Sequence, residues 1–160
     1  MWVLLAIAAQ EGWKVHHMDM KFAFLNEDLK EEVYVRQPPG FTITGEEGKV
    51  YRLHKALYGL RQAPHAWNTK LDTTPKKMGF QQSAHEAATY QRGSGRSVLL
   101  VDVYVDDLII TDANWKEVES FKAAMKDQFE MSNLGLLSFY LGVEVHQDAK
   151  GITLCQAHYV

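Results

Sequence analysis

A chain of 160 residues, 46% of them hydrophobic, is long enough for one domain with a real core and too short for two comfortable ones. A formal charge of −3, from 17 basic and 20 acidic residues, excludes a global positive field, so any site for a polyanion must be local. The single cysteine, Cys155, excludes an internal disulfide framework and a four-thiolate zinc site and suits a reducing compartment, and the apolar run Val3 to Ala9 is too short to span a bilayer and lacks a basic leader.

The chain opens on "MWVLLAIAAQEG", a helix-forming stretch with no capping residue ahead of it and a stop at Gly12, so it reads as cut into rather than started. "WKVHHMDMKFAFL" alternates as a strand does, with Trp13, Val15, His17 and Asp19 on one face and Lys14, His16, Met18 and Met20 on the other. Asp19 thus falls at the C-terminal end of a strand. "EEVYVRQ" and "GKVYRLH" suggest a strand pair, separated by a Pro39-Gly40 turn and the polar loop "TITGEEG". In "KALYGLRQAPHAWNTKLDTTPKKMG" a loop runs into a helix, with Pro64 in its first turn, Trp67 and Leu71 at i, i+4 spacing, and an end expected before Pro75. "QQSAHEAATYQRGSGRS" carries little pattern and finishes in a Gly/Ser turn.

"SVLLVDVYVDDLIIT" is the strongest strand signal in the chain, interrupted at Asp106-Asp107 as a tight hairpin would be. A helix follows, with Asn114 as its cap, Glu117 as the reciprocal capping partner, and an apolar stripe of Val118, Phe121, Met125 and Phe129 that would cover a sheet. "LLSFYLGVEVHQDAKGITLCQ" reads as two strands around a Gly151 turn. With no regular β-α-β repeat, the expected class is α+β, a mainly antiparallel sheet with helices packed on one face.

One aspartate at a strand end and an aspartate pair at a hairpin turn form the arrangement a divalent-metal site would use, since Mg²⁺ takes one or two carboxylates and fills its octahedron with water and phosphate oxygens. Two such ions would activate an attacking hydroxyl and stabilise the leaving pyrophosphate. Without a cation, each like-charged pair about 4 Å apart costs ~4 kcal/mol at an effective dielectric near 20. On the residues alone an acidic turn is the commoner explanation, because Asp favours turns and spacing does not bring two places together.

Ordered blocks along the chain, "MDMKFAFLNEDLKEEVYVRQPPGF", "VYRLHKALYGLRQAPHAWN", "YVDDLIIT", "FEMSNLGLLSFYLGVEV" and "GITLCQAHYV", resemble the reverse transcriptase domain of copia-type long-terminal-repeat retrotransposons. The resemblance covers nearly the whole chain and implies a right-hand polymerase palm, with fingers and thumb incomplete, that copies RNA or DNA into DNA. Residues 1–160 would form a single partial palm domain. Asp19, Asp106 and Asp107 match the catalytic aspartates. Asp19 and Asp106 would be the main ligands of Mg²⁺, or of Mn²⁺ in its place, with the carbonyl of Met20 completing the set and Asp107 adding charge nearby.

The same resemblance puts Phe24 under the incoming sugar, where its ring would exclude a 2′-hydroxyl, with Tyr104 and Gln62 also on the nucleotide's side. Tyr58, Gly59 and Arg61 would lie against the template, and Leu141 and Gly142, with Glu144, would grip the primer end. Lys122 or Lys126 would stand where polymerases keep a proton donor for the pyrophosphate, although a solvated helix face explains either lysine more simply. The implied partners are a template-primer, a deoxynucleoside triphosphate, and the finger, thumb and ribonuclease H segments of a parent polyprotein, with no membrane; the family's location would be cytoplasmic.

Phe22, Glu27, His65 and Asp112 depart from the family pattern, the second and fourth standing where a glycine would be free to take positive φ, at a cost of order 1 kcal/mol if that conformation is needed. Asp102 stands on the strand that leads to the hairpin and needs a partner if buried; a change tolerated at a strand edge explains it more simply than a role near the metal. Two alternatives stand beside the polymerase: a catalytically inactive retrotransposon remnant, which the net charge of −3 favours, and a non-enzymatic nucleic-acid-binding module.

Overall fold

In the computed structural model, which describes residues 1–26, 28–61, 63–95 and 97–156, the alternating segments pair into three antiparallel sheets. In chain order the elements are α1 (Trp2–Glu11), β1 (Val15–Met20), a short 3-10 turn (Ala23–Asn26), β2 (Asp28–Arg36), β3 (Val50–Lys55), α2 (Ala63–Lys77), β4 (Gln81–Gln82), β5 (Thr89–Ser94), β6 (Ser97–Tyr104), β7 (Asp107–Thr111), α3 (Trp115–Gln128), β8 (Met131–Leu136), β9 (Phe139–Tyr140), β10 (Val143–Gln147) and β11 (Ile152–Cys155). They fall into two units, Met1–Lys21 with Thr73–Val160, and Phe22–Asp72. No helix among the described residues is long and apolar enough to cross a membrane.

The larger unit is built on a six-stranded sheet in the order β4-β5-β6-β7-β1-β8. Its central strands are buried along their length, from Leu99 to Val103 in β6 and Leu108 to Thr111 in β7. A strand exposed on one side alternates, whereas one covered on both sides reads as a continuous apolar run, as "VLLV" and "LIIT" do. The helices accordingly do not sit on one face, as expected from the sequence. Leu4, Leu5 and Ala8 of α1 pack with Val15, Leu100 and Ile109, together with Leu137, Tyr140 and Val145. On the opposite face α3 buries Val118, Phe121 and Met125, with the Phe121 ring 5.1 Å from that of Phe80. A second sheet of this unit, β11-β10-β9, has three strands where two were expected.

Helix ends differ from expectation in two places. Pro75 lies inside α2 rather than beyond it. Proline removes only one helical donor, and the turn is closed by Met78 N–H to Pro75 O (2.9 Å), Phe80 N–H to Pro75 O (3.0 Å) and a left-handed Gly79 at φ 83°. Asn114 caps α3 as expected, its side chain accepting from Lys116 N–H at 3.1 Å. Glu117 does not reach back to the cap, however, because Arg92 Nη2 holds its carboxylate at 3.0 Å and the Asn114 N–H is taken by Asp112 Oδ1 at 2.7 Å. Asp112 is therefore buried as a second capping acceptor with no positive φ, so the strain weighed for it does not arise. The patternless stretch after α2 contains β5, whose hairpin to β6 bends at Gly93 (φ 88°), where an added Cβ would lie 2.1 Å from Ser97 O.

The smaller unit holds the 3-10 turn and the β2-β3 ribbon, in which Val33 faces Leu53 and Tyr34 faces Arg52 across the strands. Trp67 and Leu71, on the first part of α2, are buried as their spacing predicts. Lys70 Nζ donates to Asn26 O within this unit. Glu27 lies outside the described residues.

Candidate functional site

The hairpin at 104–107 is as tight as a hairpin can be: Tyr104 and Asp107 face each other and Val105 and Asp106 form the loop, so the turn falls one residue before the expected Asp106-Asp107 and Asp107 begins β7. Val105 has φ 55°. The left-handed region costs an L-residue roughly 1–2 kcal/mol, and a β-branched side chain is a poor occupant of it. Strain of this kind persists only where the surroundings impose it and clusters at functional sites. One imposing contact is on view: Met20 N–H donates to the carbonyl oxygen of Asp106 at 2.7 Å, tying the loop to the end of β1.

The strand register brings the expected aspartates together. Asp19 of β1 stands directly opposite Asp107 of β7, and Asp107 opposite Tyr104, so the three side chains share one face. Burial first, then the charges of Asp106 and Asp107, hold the Asp19 carboxyl above the usual carboxylate range, against the pull of His17 and Lys21. Met20 buries its side chain on the other face, which leaves only its backbone near the aspartates. Tyr104 is 52% exposed beside them.

His17 was not among the expected site residues. It lies two positions before Asp19 on the same face, and its Nε2 is 2.6 Å from Asp107 Oδ1. The ring is buried and meets Tyr140 edge-on, with centroids 5.9 Å apart and planes at 87°. The Tyr140 hydroxyl is itself buried with no hydrogen-bond partner among the described residues, and burial, then Asp102, Asp107 and Tyr104, push its ionisation well above the ordinary phenol value. The signal for His17 was in the sequence, an imidazole at i−2 from a carboxylate on a strand.

Asp102 is buried in β6, an interior strand between β5 and β7, so the reading of a tolerated edge is corrected. It accepts from Thr89 Oγ1 at 2.7 Å. Lys122 is corrected in the same way. It is 3% exposed and points at the face away from the aspartates, where its Nζ donates to His16 Nδ1 at 3.0 Å and Glu119 Oε1 at 2.8 Å. Lys126 is exposed in the last turn of α3.

Leu141 (φ 49°) and Gly142 (φ 82°) form the two-residue turn between β9 and β10, with Tyr140 facing Val143. Positive φ at both positions is the type I′ pattern. An added Cβ at Gly142 would meet nothing within 4 Å, so glycine is required there for its φ. Glu144 pairs in β10 and lies 3.7 Å from His146 Nε2.

In the smaller unit Phe24 is buried and Tyr58 packs on it, centroids 4.5 Å apart and planes at 62°. Gly59 has φ 91° and Arg61 is exposed. Gln62 lies outside the described residues.

Among the described residues no three His, Cys, Asp or Glu side chains converge as a ready ligand cage. Asp19 and Asp106 are the carboxylates that could hold a divalent cation, while Asp107 lies 2.6 Å from His17 Nε2. Mg²⁺ ordinarily accepts one or two carboxylates, and the charges of Asp106 and Asp107, which add to burial in raising the Asp19 carboxyl, are ones a cation would offset.

A family model described as reverse transcriptase (RNA-dependent DNA polymerase) matches residues 1–160. The chain is 34% identical over 157 residues to a retrovirus-related Pol polyprotein from transposon RE2 of Arabidopsis thaliana, covering 98% of this chain and 11% of that protein. It is 36% identical over 144 residues to a putative transposon Ty5-1 protein of Saccharomyces cerevisiae, covering 89% and 47%. With the Pol polyprotein from transposon TNT 1-94 of Nicotiana tabacum it shares 32% over 160 residues, covering 98% and 12%. The chain thus spans about a tenth of these plant polyproteins and about half of the yeast protein. No solved structure matches.

Proposed function

Because the chain belongs to the reverse transcriptase (RNA-dependent DNA polymerase) family of copia-type Pol polyproteins, we propose that it is the aspartate-bearing palm of an RNA-directed DNA polymerase. It would add deoxynucleotides to a primer 3′-hydroxyl on an RNA or DNA template. Residues 1–160 are read as one partial polymerase domain that works inside a longer polyprotein, with the other segments supplying most of the grip on template and triphosphate. The observation that carries this reading is the register of Asp19 against Asp107, with Asp106 at the tip of a strained turn tied to the same strand end.

Asp19 and Asp106 would hold Mg²⁺, or Mn²⁺ in its place, which supplies charge neutralisation at the phosphates and acidity to the primer hydroxyl, with the carbonyl of Met20 available to complete the set. Asp107 adds negative potential beside them and is held by His17. Tyr104 offers an exposed ring at the rim, suited to the face of a sugar or base. Phe24 is assigned to exclusion of a 2′-hydroxyl, braced by the ring of Tyr58. Gln62 is assigned with Tyr104 to the nucleotide's side, Arg61, Tyr58 and Gly59 to the template side, and the Leu141-Gly142 turn to the primer end.

The test uses a transposon Pol polyprotein of this family in which these 160 residues replace the matching segment. Mg²⁺-dependent extension of a primed RNA should be present and should fall at least about a hundredfold with Asp106→Asn, the scale expected when charge stabilisation at a transition state is removed. The isolated chain should extend nothing. A chimera that folds, binds primer-template and does not extend would identify an inactive remnant instead.

A further inference from the structure

We propose that His17 is a positioning residue: it holds the Asp107 carboxylate away from the cation assigned to Asp19 and Asp106, and so keeps the site a two-carboxylate site matched to Mg²⁺. The inference rests on that assignment. It starts from the strand register. Residues directly opposite on an antiparallel pair have Cβ atoms roughly 4.5–5.5 Å apart, and like charges placed there repel. Asp107, opposite Asp19, has two ways to relieve that repulsion: it can turn toward Asp19 and share a cation, or turn along the strand toward the diagonal neighbour.

The diagonal neighbour is His17, whose own direct partner is Ile109. The contact of 2.6 Å shows which way Asp107 has turned. His17 is poorly placed to follow the carboxylate back, because the ring is buried and its plane is set by the edge-on contact with Tyr140. An N–H from the ring satisfies one Asp107 oxygen and so orients the whole group.

The consequence is a matter of ligand count. Mg²⁺ demands near-octahedral geometry and keeps most of its waters, whereas Ca²⁺ takes 6–8 oxygens and gains from every added carboxylate. Releasing Asp107 would convert a sparse site into a crowded, more negative one. Total affinity would rise and discrimination against Ca²⁺ would fall.

Mn²⁺ binding to the 160-residue chain, followed by the loss of the free-ion EPR signal with Ca²⁺ and Mg²⁺ as competitors, measures this directly. Asp106→Asn should weaken Mn²⁺ binding about tenfold or more, since a ligand is lost. His17→Leu should tighten it about threefold to tenfold and favour Ca²⁺ as competitor, because site charge sets affinity. Adding Asp107→Asn to that variant should reverse both changes. His17→Gln, which keeps an N–H at the place of Nε2, should stay within about twofold of the starting chain.

Identical behaviour of the Leu and Gln variants, or no change in either, would reduce His17 to packing and overturn the proposal. Should His17→Leu fail to fold, Asp107→Asn alone decides. A loss as large as that of Asp106→Asn would make Asp107 a ligand and sink the idea, and a loss under about twofold supports it. A chain whose Mn²⁺ binding is indifferent to Asp106→Asn overturns the two-carboxylate assignment itself, a result separable from failure at His17.

Discussion

His16 and His17 are neighbours in the chain and face opposite sides of one strand, and the two sides handle charge differently. Behind His16, under α3, a buried Lys122 is matched by Glu119 and by the imidazole itself, so the cluster is closed. Beside His17 the imidazole holds one carboxylate, that of Asp107, and the charges of Asp106 and Asp107 together add to burial in raising Asp19. A closed cluster holds a fold together, whereas a surplus of one sign invites a ligand. Period-two alternation lets β1 serve both ends with adjacent residues.

The contrast can be broken most severely from the closed side. Phe121→Ala should cost about 3–5 kcal/mol in denaturant unfolding, because it empties the packed contact with Phe80 beneath the sheet. A loss below about 1 kcal/mol would mean that α3 is not seated as described. On the open side, Val105→Gly should stabilise by up to about 1 kcal/mol, since glycine takes φ 55° without strain. The same substitution should lower extension by the chimera if the strain aims Asp106.

The two histidine environments separate with pH. His16 titrates below its ordinary 6.5, because burial and then Lys122 disfavour its cation more than Glu119 favours it. The stability this group contributes is therefore whole above pH 6.5 and is lost as pH falls through that value toward the lowered one. Replacing His16 with Gln should flatten that part of a melting-temperature profile; an unchanged profile would place the acid sensitivity elsewhere. Asp19 has the opposite sign. Its carboxyl is raised from 3.8, so its ionised form costs stability above the folded value and the cost vanishes at low pH. Without divalent cation, Asp19→Asn should raise the melting temperature near pH 7 by about a degree or two, a gain that disappears toward pH 3 and that Mg²⁺ should largely cancel by stabilising the unsubstituted chain.

Much of the site was legible before any coordinates. Alternation placed Asp19 on the face of His17, the interrupted apolar run placed Asp106 at a turn, and ordered blocks placed both in a family. Less was legible about cover. "VLLV" and "LIIT" were read only as strand, with helices expected on one face, because which helix lay on which face depended on contacts between residues far apart in the chain. Pro75 shows a local rule yielding, since a lost donor near a helix end is made good by neighbouring turns. Glu117 shows another, because Arg92 from a distant strand competes for the carboxylate that a capping box would have used.

The sequence by itself determined the family, the strand alternation, a hairpin within one residue of its Val105-Asp106 loop and the acidic residues available for chemistry, because each depends on short spacings that the backbone geometry converts directly into faces and turns. Only the tertiary structure decided that Asp19 stands opposite Asp107, that Lys122 belongs to a closed cluster on the far face, and that Asp107 is taken up by His17. Those depend on register and packing between segments some ninety residues apart, as in the contact from His17 to Asp107, and no local pattern encodes them.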